Sequence, residues 1–147
     1  MREEISVAER FLTKLLLDSD KPQLKIGDLV DFGWYLRHVL ILKYVDHWYP
    51  LCPYRGSEYR CIRLEKGSSK TKHSEIDPVY IKTLSKCGIT IEEFLERMPE
   101  NLTIWIDPGE VSYRIGEYGK IKTLYKTVAS NIYKRLDPNP TDSQNSE

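Results

Sequence analysis

Charge of either sign is not in surplus in this chain, with 22 Lys plus Arg against 22 Asp plus Glu. That balance argues against binding nucleic acid by bulk charge, because neutralising phosphates needs a basic surplus or a basic face. Long apolar runs are missing too. None approaches the roughly 20 residues that a membrane-spanning helix needs, so no membrane role is expected. Cysteine is scarce. Cys52, Cys61 and Cys87 are odd in number and widely spaced, which is not a disulfide framework and fits the reduced thiols of a cytoplasmic or nuclear compartment. The opening Met-Arg-Glu-Glu places acids where a signal peptide carries its positive stretch.

Catalytic and metal patterns are equally thin. No C-x-x-C or H-x-x-x-H pair occurs, and His47 with Cys52 does not make a metal site. Nucleophile elbows, phosphate-binding Gly loops and dinucleotide fingerprints are absent. A thiol triad of Cys61, His47 and Asp107 can be drawn, but Cys61 sits in a strand-like run with no helix N-terminus or Gly elbow to activate it. The paired Glu92–Glu93 suits the first turn of a helix, where carboxylates complement the dipole. The expectation is a protein that is not an enzyme and needs no metal or cofactor.

What the chain does contain is 147 residues, 40% hydrophobic and 30% charged, the composition of one globular domain. Ile5, Ala8, Phe11, Leu12, Leu15 and Leu16 recur at helical spacing. Asp28 is placed to cap a second helix, which stops before Pro50 and Pro53. Tyr59–Leu64 reads as a strand, with Arg60 and Arg63 on opposite faces. Asp77-Pro78 opens a helix that Gly88 would end in a left-handed cap. Thr90 and Glu93 match a capping box for a helix over 91–98. Leu102–Ile106, Val111–Ile115 and Ile121–Tyr125 are strand runs, and a last helix carries Val128, Ile132 and Leu136. The order predicts an α+β domain over 1–136, helices around a small, mostly antiparallel sheet, with a polar disordered tail over 137–147. The Lys66, Lys70, Lys72 and His73 cluster, near Arg55, Tyr54 and Tyr59, lacks the net charge and motif of a direct RNA binder.

Two Trp/Pro segments then stand out, His47–Arg63 and Pro99–Glu117. Large aromatic side chains beside prolines make stiff recognition loops with a low ordering cost. These residues resemble the BTG/Tob antiproliferative family. Tyr44, His47-Trp48, Pro50, Pro53, Gly56 and Tyr59-Arg60-Cys61-Ile62-Arg63 stand in the pattern of its box A. Pro99, Leu102-Thr103, Trp105, Asp107-Pro108, Glu110-Val111, Arg114 and Gly116-Glu117 stand in that of box B. The opening residues and Asp77-Pro78 are similar as well, so the resemblance covers about residues 1–125. It implies a non-catalytic adaptor whose domain binds the Caf/Pop-type deadenylase subunit of the CCR–NOT complex. Such adaptors reach mRNAs through RNA-binding proteins and so control proliferation or cell fate. Carried over by position, Trp105 and Asp107 are the contact residues, with Tyr59, Arg63 and Glu110 alongside. His47, Trp48, Pro50, Pro53, Gly56, Arg60 and Cys61 form the box A scaffold. One contiguous exposed patch of Trp105, Asp107 and Tyr59–Arg63 is the surface this reading expects.

The chain departs from the family pattern in two places. Leu51-Cys52 replaces the usual Glu-Lys between the box A prolines, and Gly109 replaces the usual aromatic after the box B Asp-Pro. The pattern suggests a divergent invertebrate member, and a nematode germline regulator of sperm fate is one such protein. Exposed Leu51 and Cys52 would be an altered contact that admits a homo-oligomer. The alternative function is therefore a self-assembling or RNA-associated scaffold whose deadenylase surface has drifted.

Overall fold

A computed structural model describes residues 1–66 and 75–136. The basic loop and the polar tail of the sequence reading lie almost wholly outside these residues. The elements are α1 (Arg2–Leu17), α2 (Ile26–Tyr44), α3 (Ser57–Arg60), β1 (Ile62–Glu65), β2 (Glu75–Ile76), α4 (Pro78–Leu84), α5 (Ile91–Arg97), β3 (Asn101–Asp107), β4 (Glu110–Ile115), β5 (Lys122–Lys126) and α6 (Val128–Leu136). The strands form one antiparallel sheet in the order β2-β1-β3-β4-β5. The α+β expectation is met.

The sheet sorts its side chains by the two-residue alternation of extended chain. Leu102, Ile104 and Ile106 of β3 pair in register with Ile115, Tyr113 and Val111 of β4. Ile62 and Leu64 of β1 lie beside Ile104 and Leu102. This inner face joins Ile5, Ala8, Leu12 and Leu16 of α1 and Leu29, Phe32, Leu36 and Leu40 of α2 in a single core. Phe11 packs its ring on Tyr113 at 4.4 Å, and Phe94 of α5 lies between Phe32 and Tyr80 at 5.8 and 5.2 Å. Tilted rings at such spacings stabilise beyond area burial.

Local signals at the helix starts hold where side chains act on nearby backbone. The Asp77 carboxylate accepts from the Val79 N–H at 3.0 Å. Thr90 accepts from the Glu93 N–H while Glu93 accepts from the Thr90 N–H, a reciprocal capping box. Thr90→Ala should lower stability by about 1 kcal/mol, read as a shifted urea midpoint at unchanged slope.

Three expectations need correction, and one short strand joins the expected ones. The strand over Tyr59–Leu64 begins later, because Ser57–Arg60 is a helical turn entered from Gly56 at φ 74°. The second helix starts at Ile26, so Asp28 stands in its first turn and makes no cap. Its carboxylate instead lies where a Cβ on Gly88 would fall, 2.4 Å away. Gly88 therefore faces only a movable carboxylate. It has no positive φ, and α4 has already ended at Leu84. Finally, β2 adds two residues after the basic loop, pairing Ile76 with Leu64.

Candidate functional site: the buried junction of two recognition loops

Arg60 organises the site. Its side chain is fully buried, and its guanidinium has five N–H donors in a rigid fork. Nε donates to the Ile106 carbonyl at 2.9 Å. Nη1 donates to the carbonyls of His47 at 2.9 Å and Arg55 at 2.6 Å. Nη2 donates to the Pro53 carbonyl and to Asp107 Oδ1, both at 2.9 Å. The loop that carries His47, Pro53 and Arg55 is thus fastened to the end of β3 by one side chain. The flat face of the guanidinium lies 5.4 Å from the Trp48 ring centre, a cation–π distance. Trp48 in turn stacks on Tyr44 at 6.3 Å, and the Tyr44 hydroxyl donates to the Arg60 carbonyl. Burial holds the Tyr44 hydroxyl well above its ordinary range, with the Arg60 cation opposing.

Only a helical turn at 57–60 can make this junction. It points Arg60 inward and leaves Tyr59 46% exposed next door. Gly56 is required at the entry, since a Cβ there would meet Arg60 Nη1 at 3.1 Å at an already left-handed φ.

The expected exposed patch is not formed as drawn. Trp105 and Asp107 are each 5% exposed, and Cys61 is likewise buried. Trp105 sits under the Arg114 guanidinium at 5.5 Å, opposite Ser112 in register, and Asp107 pairs with Arg60. Tyr59 and Arg63 are exposed, and Glu110 is partly exposed beside Asp107. The His47 ring packs on Tyr59 at 4.2 Å. At the tip, Leu51 is 68% exposed, with Pro50 exposed and Cys52 partly so. The accessible groups are therefore Tyr59, Arg63 and Leu51, and the two central box B residues lie beneath the surface.

Gly109 reveals a contact that no local pattern announces. Its φ is +78°, and a Cβ there would meet Thr127 Oγ1 at 2.6 Å and Ser130 Cβ at 2.8 Å. Its N–H donates to Glu4 Oε2 at 2.9 Å, and its carbonyl accepts from the Thr127 N–H at 2.8 Å. Thr127 also accepts from the Ser130 N–H. The start of α6 thus occupies the space that an aromatic at 109 would need.

Chemically the junction is inert. Burial pushes the Cys61 thiol up, against the weaker lowering effect of Arg63, so it is neither exposed nor ionised as a nucleophile must be. Cys61 should resist iodoacetamide at neutral pH, while Cys87, partly exposed like Cys52 but with a thiol that burial pushes up, should label more slowly than Cys52. Cys52, with part of its surface in solvent, should label first in peptide mass spectra. Rapid labelling of Cys61 in the folded protein would reopen thiol chemistry. Among the described residues no three His, Cys, Asp or Glu side chains converge on a metal-sized site, and no helix is long and apolar enough to cross a membrane.

The two Trp/Pro loops of this small α+β domain are thus fused by one buried arginine. The family model described as "BTG family" matches residues 1–125, and the chain belongs to the BTG family. It is 36% identical to mouse protein Tob1 over 147 residues, all of this chain and 37% of that protein. It is 38% identical to rat protein BTG2 over 129 residues, 86% of this chain and 73% of that protein. The chain therefore spans little more than a third of the Tob relatives. The solved BTG/Tob domain of C. elegans FOG-3 superposes with a TM-score of 0.68 over 95% of this chain and 88% of that chain, at 19% identity, which establishes the fold.

Proposed function

We propose that this domain is an adaptor that brings a Caf/Pop-type deadenylase subunit of the CCR–NOT complex to mRNA–protein complexes in the cytoplasm, the nucleus or both. The observation that supports this reading is the Arg60–Asp107 ion pair with its four carbonyl bonds. It makes box A and box B one rigid surface, so little entropy is lost when a partner docks. Tyr59 and Arg63 supply the accessible contact. Trp105 and Asp107 act from beneath by setting its shape, and contact with mRNA runs through RNA-binding proteins. The test is capture of the purified deadenylase subunit by the full chain. Tyr59→Ala with Arg63→Glu should weaken capture by about tenfold or more at an unchanged melting temperature. Failure of the wild-type chain to capture the subunit ends the adaptor reading.

One observation favours a second reading. Leu51 is 68% exposed at the box A tip, where the family pattern is charged, and an apolar tip can seed self-association. Light scattering that stays monomeric across concentration would remove the homo-oligomer and leave the adaptor.

A further inference from the structure

We propose that the groove between α2 and α4 is a docking site for an acidic protein segment that carries a large apolar anchor. The site goes beyond the adaptor reading and shares only Tyr59 with it. Val39 of α2 and Val79 of α4 form the floor, and Leu42 and Tyr59 form the walls of a volume of about 430 Å³, within the ~300–1,000 Å³ of ligand pockets. Leu42 is 77% exposed. It ends a row at intervals of four along α2, since Ile26, Val30 and Trp34 are also exposed. The gap in that row is filled by His38, whose ring lies on Trp34 at 3.8 Å. Each step of four turns the row by about 40°, so Leu42 is the member of the row that lines the groove.

Charge selects the occupant. Lys43 and Lys82 stand at the groove, and the Lys43 ammonium is held over the Tyr59 ring at 4.9 Å. The one carboxylate there, Asp77, accepts from the Val79 N–H and caps α4. An apolar cavity with cations on both walls, and its only acid already hydrogen-bonded, complements an apolar side chain flanked by carboxylates.

The test follows backbone amide shifts by NMR in the full chain, using acetyl-Asp-Glu-Leu-Leu-Glu-Asp-amide as the probe. Shifts should cluster at Val39, Leu42, Lys43, Val79 and Lys82. Lys43→Glu with Lys82→Glu should weaken binding by about tenfold or more. The same variant should then take up acetyl-Lys-Arg-Leu-Leu-Arg-Lys-amide, a gain that misfolding cannot produce. No shifts, shifts elsewhere, or equal binding of a probe with Gly-Gly in place of Leu-Leu would overturn the proposal. So would light scattering that shows a dimer abolished by Leu42→Glu, because a second copy would then be the occupant. None of these readouts involves a deadenylase, so failure here and failure of the adaptor reading are told apart.

Discussion

Arg60→Lys is expected to lower the free energy of unfolding by about 3–5 kcal/mol, because two or more buried acceptors lose their donor at about 1–3 kcal/mol each. Lysine keeps the charge but not the fork. Its ammonium has three donors, no plane to lie on Trp48, and no way to span five acceptors at once. The five acceptors come from His47, Pro53, Arg55, Ile106 and Asp107, so the loss falls on the junction of the two boxes. Arg60→Met combined with Asp107→Leu should recover part of the deficit. Neither buried charge remains in that variant, but four carbonyls still lose their donor. Urea midpoints give both numbers. If Arg60→Lys unfolds within about 0.5 kcal/mol of wild type, as an ordinary surface change does, the boxes are not held together by this side chain.

Gly109→Ala should cost about 2–4 kcal/mol, summing the penalty of a Cβ at left-handed φ with overpacking against α6. The turn cannot shift to relieve the clash. Its N–H is tied to Glu4 and its carbonyl to Thr127. Relief must therefore come from α6, and amide exchange should speed up along Val128–Leu136 before the rest of the protein responds. Ser130→Gly in the same chain removes the atom at 2.8 Å. A double-mutant cycle should show favourable coupling of about 1 kcal/mol, with the φ penalty left behind. Additive effects, with exchange unchanged in α6, would show that the helix does not cover this turn. Restoring a family-like aromatic, Gly109→Tyr, should displace α6 further and is the variant to carry into the deadenylase capture assay.

Much of this was legible in the chain. The Asp77 and Thr90–Glu93 caps act across two or three residues, so side-chain chemistry alone locates them. The β3–β4 hairpin follows from alternation on either side of Pro108-Gly109. The box residues carry the family, and with it the α+β fold. Tyr59–Leu64 reads as one strand although only Ile62–Leu64 of it is strand, because a run of alternating large residues suits a strand as well as a helical turn followed by a strand. What separates the two is the pull of carbonyls at 47, 53, 55 and 106 on one guanidinium. Gly88 reads as a left-handed cap because glycine is favoured there, but its φ is not positive and α4 has already ended at Leu84.

The sequence by itself determined most of the elements and the family, since each depends on residue type and short spacing. Only the tertiary structure decided which recognition residues are on the surface. Arg60 and Asp107 are 47 residues apart, and Gly109 and Glu4 are 105 apart. Alternation along β3 puts Trp105 and Asp107 on the outer face of the sheet. Whether that face meets water depends on what distant chain is folded over it. At this junction the Arg60 turn leaves Tyr59, Arg63 and Leu51 in water while Trp105 and Asp107 lie beneath.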